Sequence, residues 1–335
     1  ITCRDWSSDV CSSDLYFVDF GLVVRSVRGR GGCHLHRGVH PLGRGQPFRP
    51  AWDCDYRRLG IRRMSPLLVT ALISVVINSV LGLVSWRLRW LTVNGALSAV
   101  LVGSGVLYFT GFGGWLLLML FFLTANVLGK ISRAATPSMA EGIQKKGGRR
   151  DWAQVMANGG LALASALLYG VDGSVLALVM FGSAIAASTA DTWAGEVGIL
   201  SKKPPVSIIN FQRVPPGLSG GISFLGTVSG LLGSFLIAMS WYGTFATAAS
   251  ISWVFFTSII TIAGFGGMIV DSVLGATLQG HYWDPERNQI TEHEQRDGRR
   301  LELCRGIRWI DNDVVNFLSN SIAVLIGSGL SLIML

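Results

Sequence analysis

From residue 65 onward the chain alternates long apolar runs with short polar ones. The runs lie at Ser65–Trp86, Leu91–Thr110, Gly113–Gly129, Trp152–Gly170, Ser174–Asp191, Leu218–Trp241, Ser252–Leu278 and Asn312–Leu335. As helices they are of the length that crosses about 30 Å of hydrocarbon. This pattern predicts an all-α, polytopic membrane bundle of about eight transmembrane helices. In Ser252–Leu278, Gly264, Gly266 and Gly267 leave open one kinked helix or a broken pair. The polar segments carry the basic residues in a one-sided way. Arg87 and Arg89 follow the first run, Lys130, Arg133, Lys145, Lys146, Arg149 and Arg150 the third, and Lys202, Lys203 and Arg213 the fifth; Arg287, Arg296, Arg299, Arg300, Arg305 and Arg308 follow the seventh. The second, fourth and sixth loops carry none. With eight crossings all 17 basic residues after Met64 share one side, which the positive-inside rule makes cytoplasmic or its organellar equivalent. Trp86, Trp90, Trp115, Trp152, Trp193, Trp241 and Trp309 lie near the run ends, as an interfacial aromatic belt requires.

Composition agrees with this pattern. Of 335 residues, 50% are hydrophobic, 14% are charged and 42 are glycine, and the mean hydropathy is +0.47, a profile that excludes an ordinary soluble domain. Residues 1–63 read differently, with 11 of the 28 Lys/Arg, four of the five cysteines and no apolar span. Their stretch Asp5–Leu15 resembles a translated sequencing adapter. Residues 1–63 are therefore expected to lie outside the domain, with 64–335 as a single transmembrane domain starting at Met64. Cys3, Cys11, Cys33 and Cys54 with His34, His36 and His40 contain no CxxC-like pair, so no zinc site is expected there. The formal net charge of +8 divides into +5 on residues 1–63 and +3 on the rest, which leaves no nucleic-acid footprint. After Met64 only Cys304 remains, so no disulfide framework is expected.

Within this pattern a few carboxylates stand out. Asp191, in Ser188-Thr-Ala-Asp-Thr-Trp-Ala-Gly-Glu-Val-Gly198, and Asp271, in Gly264-Phe-Gly-Gly-Met-Ile-Val-Asp-Ser-Val-Leu-Gly275, sit near the ends of apolar runs. Ionisable groups at such depth face a bundle interior, a water-filled cavity or a ligand, and an acid at a helix C-terminus opposes the helix dipole. Such a pair calls for a cation. Asn126, Asn158, Asp191, Glu196, Asp271, Asp311, Asn312, Asp313 and Asn316 all fall toward the basic face. They predict a pocket lined by carboxylates and amides, with Lys and Arg at its rim, able to bind phosphate through a divalent cation and ion pairs. Asp151, Asp172 and one of Asp311 to Asp313 also fit helix caps. Asp271, Gly275 and Gln279 recur every four residues and would share a helix face. Asp191 and Glu196 are five apart, so either the helix ends near Gly195 or the two acids serve different partners.

The fifth loop, Ser201–Ser223, is the most phosphate-like segment. Gly217, Gly220 and Gly221 are predicted to free backbone amides at the start of the sixth helix, where the dipole favours an anion, with Lys202, Lys203 and Arg213 as partner cations. Gly226, Gly230 and Gly233 form a small-residue stripe for helix packing. The seventh loop, with His281, His293 and several Glu, matches no metal spacing and reads as a solvated charged linker. No Ser/His/Asp order, nucleophile elbow or soluble-kinase signature is present.

Five blocks carry a family resemblance: Gln154-Val-Met-Ala-Asn-Gly159; Ala190-Asp-Thr-Trp-Ala-Gly-Glu-Val-Gly198; Val214-Pro-Pro-Gly-Leu-Ser-Gly-Gly221; Val270-Asp-Ser-Val-Leu-Gly-Ala-Thr-Leu-Gln279; and Ile310-Asp-Asn-Asp-Val-Val-Asn-Phe-Leu-Ser319. Through them the chain resembles the transmembrane protein 19 family, also called domain of unknown function 92, over essentially everything after Met64. Gly195 stands where members often carry Ser, and Leu218 where Thr or Asn is usual. The resemblance implies a polytopic membrane protein whose plant and cyanobacterial relatives include phytyl-phosphate kinase. Together with the residues it suggests an isoprenoid-phosphate kinase acting on a membrane-embedded prenyl phosphate. Asp191 and Asp271 would be catalytic, and Asp191, Glu196, Asp271 and Asp311 would hold Mg2+. Lys202, Lys203, Arg213, Gly217, Gly220, Gly221, Asn158, Gln279 and Asn316 would bind the nucleoside triphosphate. A lipid-phosphate or anion transporter built on glycine-rich broken helices would need the same groups, and a non-catalytic membrane protein is the remaining alternative.

Overall fold

The computed structural model describes residues 65–136, 148–245 and 253–334. The readings made on residues 1–63, including their cysteines and histidines, and those on Lys145 and Lys146 fall outside the described residues. Among the described residues seven helices follow one another: α1 Pro66–Arg87, α2 Val93–Ala135, α3 Trp152–Asp172, α4 Val175–Gly198, α5 Phe224–Phe245, α6 Trp253–Thr277 and α7 Asn312–Met334. Each is long and apolar enough to cross a membrane.

At 43 residues, a straight α2 would reach about 64 Å, twice the hydrocarbon thickness. It is not straight, because Gly111 adopts φ 69° and ψ −170°, a conformation that glycine tolerates for want of a Cβ. Trp90, just ahead of α2, meets Phe122 edge to face at 5.9 Å. Asn78 of α1 touches both arms, since it accepts from Trp115 Nε1 at 3.1 Å and its amide fills the space beside Gly103. Residues so far apart along α2 can share these neighbours only if the helix folds back. The arms 93–110 and 112–135 therefore correspond to the second and third predicted spans, which gives eight apolar segments of membrane-crossing character among the described residues.

The loop parity follows from contacts at each end. At the basic end, Thr92 N and Arg150 N bond to Arg150 O and Trp90 O, both at 3.0 Å; Ser132 bonds Glu196, and Ser219 bonds Glu292. At the other end, Gly113 lies against Thr244 and Gly170 against Phe109, and Phe181 meets Phe245 at 6.3 Å.

Helix α4 is the central post. It packs on α2, α3, α5, α6 and α7, and 72% of its most apolar stretch is buried against 17% for α1. Its Ala and Ser positions permit this, because small residues let helix backbones approach in an apolar environment. Gly226 and Gly230 of α5 lie on Ala194 O and Ala190 O, and Gly233 lies on Trp193, which is the packing role expected of that stripe. Helix α6 runs unbroken through Gly264 and Gly267, whose missing side chains admit Ala186, Ala187 and Ala323.

Two of the predicted boundaries shift. Helix α5 starts at Phe224 rather than Leu218, because Gly221–Ile222 forms β2 and pairs with β1, Val206–Ser207. Helix α4 continues to Gly198. The larger correction concerns the seventh loop, which is a small β module and not a solvated linker. Strand β3, His281–Asp284, lies between β4, Gln289–Thr291, and β7, Glu302–Arg305, and β5, Gln295–Arg296, forms a hairpin with β6, Arg299–Arg300. The hairpin turns on Asp297 (φ 48°) and Gly298 (φ 78°), the two positive φ angles of a tight primed turn. Asp284, 1% exposed, ties the module together by accepting from the Glu286 and Arg287 amides at 3.1 and 3.3 Å and pairing with Arg296.

Candidate functional site

A cavity of about 520 Å³ opens among the basic-end segments of α2, α3, α4, α5, α6 and α7. Asp191 from α4 and Asp271 from α6 both line it, and their carboxyl groups lie close enough to act directly on one another. Two carboxylates so placed repel each other when ionised, and a cation between them would relieve that repulsion. Asp271 is 8% exposed and is held by Ser319 Oγ of α7, which donates to its Oδ2 at 2.9 Å. Asp191 lies seven residues from the end of α4 and sixteen from its start, about 10 and 24 Å along the axis. The pair is off-centre, toward the basic end.

Amides complete this part of the wall. Asn126, Asn158, Asn312 and Asn316 all line the cavity. Asn126 and Asn158 donate within their own helices, to Phe122 O at 2.7 Å and Gln154 O at 3.0 Å. Asn316, one turn before Ser319, is buried with its Oδ1 lacking a hydrogen-bond partner. A buried acceptor without a donor is costly unless a ligand meets it. The backbones behind these groups are locked by Asn320, which donates to Ala157 O and Ser188 Oγ at 3.1 and 3.0 Å.

Glu196 lines the same cavity but does not join the acid pair. Because α4 continues past Gly195, the five-residue offset turns Glu196 toward α2, where it accepts from Ser132. Asp311 is also separate. It caps α7, accepting from the Asp313 and Val314 amides at 3.2 and 3.3 Å. The expected four-acid ligand set is thus not assembled, and among the described residues no group of three or more His, Cys, Asp or Glu is arranged to hold a metal. Asp151 caps α3 in a capping box with Gln154, as expected, and Asp172 bonds the Ser174 amide and hydroxyl at 2.8 and 3.0 Å.

Lys202 and Lys203 stand exposed on the cavity rim, joined by Arg133 and Arg150. Arg213 is exposed and is not part of the lining. Gly217, Gly220 and Gly221 do line the cavity, yet the first two precede strand β2 and Gly221 begins it, so none of them forms the N-terminus of α5. Ser223 caps that helix, its Oγ accepting from Gly226 N at 3.1 Å. Within the turn Gly221 N bonds Leu218 O at 3.1 Å. The Ser219 amide and hydroxyl are taken by Glu292 Oε1 at 2.9 and 2.6 Å. The protein's own carboxylate therefore occupies part of the expected anion site. Gln279 does not share the face of Asp271, because α6 ends at Thr277 and the Gln279 side chain bonds Glu292 instead. Burial raises the Glu292 carboxyl above its ordinary range, partly offset by the bonds from Ser219 and Gln279.

Beside this latch, His281, Cys304, Arg305 and Ser219 border a second void of about 90 Å³. Burial pushes the His281 imidazole down to about 4, helped by the nearby Arg305 charge. Its Nε2 is buried without a hydrogen-bond partner. The groups that sequence reasoning passed over are Arg133 and Arg150 as cavity residues, Ser319 and Asn320 as supports, and the Ser219–Glu292 latch. Ser319 and Asn320 were detectable as polar positions at helical spacing from Asn316 on an otherwise apolar helix.

The family model described as integral membrane protein DUF92 matches residues 76–324. Protein PGR of Arabidopsis thaliana is 30% identical over 268 residues, covering 73% of this chain and 91% of that protein. An uncharacterized membrane protein of Methanocaldococcus jannaschii is 31% identical, covering 63% of this chain and 84% of its own length. Protein VTE6, chloroplastic, of Arabidopsis thaliana is 25% identical, covering 70% of this chain and 64% of its own. No solved structure matches. With a matching model across most of the helical region, the chain belongs to the DUF92 family of integral membrane proteins.

Proposed function

We propose that the chain is an isoprenoid-phosphate kinase, transferring a phosphoryl group from a nucleoside triphosphate to a prenyl monophosphate. The observation that carries this reading is the closeness of Asp191 to Asp271 inside a polar cavity rimmed by cations. Phosphoryl-transfer sites hold Mg2+ through one or two carboxylates plus phosphate oxygens and water. The two aspartates and the unpartnered Asn316 Oδ1 fit that requirement. When bound, the ion would neutralise charge on the phosphoryl group in flight. Asp191 and Asp271 would hold it, Asn316 and Asn158 would orient the phosphates, and Lys202 and Lys203 would draw them in. No covalent intermediate on the protein is needed, since positioning and charge neutralisation do most of the work in this reaction.

The prenyl chain would lie in the bilayer, with its phosphate meeting the basic end on the cytoplasmic or equivalent side. A transporter is less well supported, because its acids belong near the midplane with access from both faces, whereas Asp191 lies toward one end of α4. The test is incubation of the purified protein with phytyl or geranylgeranyl monophosphate, Mg2+ and each common nucleoside triphosphate. Nucleotide-dependent formation of the diphosphate is expected. Absence of diphosphate with every nucleotide would refute the reading.

A further inference from the structure

The acid pair has a basic counterpart in the same cavity. Arg133, in the last turn of α2, and Arg150, just ahead of α3, both line it, and their like charges act on one another. Arg150 is fixed through its backbone, donating to Trp90 O and accepting from Thr92 N, both at 3.0 Å. Its guanidinium lies 5.8 Å from the centre of the Phe121 ring. Arg133 and Glu196 converge beside Gly129, where Arg133 Nη1 and Glu196 Oε1 each come within 3.1 Å of the position a Cβ would take. A side chain at residue 129 would push both away. Among the described residues neither guanidinium is held in an ion pair. Glu196 supplies one negative charge against these two partly buried positive ones, and the remaining positive charge at this end of the cavity favours an anion.

We propose that Arg133 and Arg150 form a phosphate-binding pole of the cavity, their planar forks taking the non-bridging oxygens of a phosphomonoester or diphosphate while Glu196 balances one of the two charges. Guanidinium groups suit this task because their paired N–H donors match phosphate geometry. The assignment rests on the reading that the cavity accepts a phosphate ester and adds which residues grip it. Glu196 thereby becomes part of the anion site and leaves the metal to the aspartates.

The experiment is equilibrium binding of inorganic pyrophosphate to the purified full-length chain in neutral detergent, without nucleotide or metal, read by calorimetry. Pyrophosphate should bind, and Arg133→Gln and Arg150→Lys should each weaken it at least about tenfold. Asp191→Asn and Asp271→Asn should bind as well as the parent or more tightly, since they remove nearby negative charge. Competition separates the sources: displacement by geranylgeranyl monophosphate assigns the pole to the acceptor, and displacement by ATP assigns it to the nucleotide. Gel filtration checks folding, and Arg133→Gln, which alters no backbone contact, serves where Arg150→Lys fails to fold. Undetectable pyrophosphate binding, or unchanged affinity in both arginine variants, would overturn the proposal. Because no turnover is involved, a protein without kinase activity could still pass this test, and an active kinase could fail it.

Discussion

The two ends of the bundle solve different physical problems. At the end opposite the basic loops, the described connections are short turns at Gly111 and Gly173–Ser174, closed by an aromatic core. Trp241, 1% exposed, donates to Leu178 O at 2.7 Å and packs on Phe245 and Phe256 at 5.7 and 5.1 Å. At the basic end the connections 199–223 and 278–311 are long, the helix contacts use glycine, alanine and serine, and the interior holds Asp191, Asp271, Asn316 and Glu196 around open space. One end is packed for stability. The other keeps a polar cavity that costs stability, since buried polar groups without partners are unfavourable, and such a cavity makes sense only if something binds there.

Disturbing each end should separate these roles. Trp241→Ala should cost about 3–5 kcal/mol of stability, read as a fall in detergent unfolding temperature, while the turnover of the molecules that remain folded changes little. Acid should act on the basic end alone. The folded His281 sits at about 4 against an ordinary value near 6.5, so it stays neutral while the unfolded chain gains a proton. Its contribution is complete above about pH 6.5 and is lost as the pH falls toward 4, up to about 3 kcal/mol. His281→Gln should flatten unfolding temperature across that window; an unchanged slope would show that His281 is not responsible. Glu292→Ala should cost about 1–3 kcal/mol by stranding the Ser219 amide and hydroxyl. Glu292→Gln, which keeps an acceptor, should cost less, and equal losses would contradict the latch. Lys202→Gln, on the exposed rim, should change stability by under about 0.5 kcal/mol and weaken phosphate binding only modestly, with most of that difference vanishing at high salt.

The membrane fold was legible because its signals are local and additive. Hydropathy marks each crossing, and the position of Arg and Lys between runs fixed the parity that contacts at both ends reproduce. The hairpin at Gly111 was readable for the same reason, as two apolar runs separated by glycine. The β module was harder to see because its strands are two to four residues long, too short for alternation to show, although Asp297-Gly298 is a recognisable hairpin turn. That Asp191 and Asp271 would face a polar interior was readable from their depth in apolar runs and their place near helix C-termini, and both line one cavity. Glu196 was misassigned because its direction depends on whether α4 stops at Gly195 or continues to Gly198, which α2 and the fifth loop decide. The Ser219–Glu292 bond spans 73 residues, and nothing local in either segment announces it.

The central claim is that Asp191 and Asp271 act together at one cation-dependent centre. Its most direct test is the Mg2+-dependent rate of prenyl monophosphate phosphorylation in the parent chain, Asp191→Asn, Asp271→Asn and the double variant. Each single change should lower turnover by about 100- to 1,000-fold, and the double variant should lose scarcely more than the worse single one, as groups acting as a unit do. Turnover close to the parent's in either single variant, or losses that multiply in the double variant, would contradict the account.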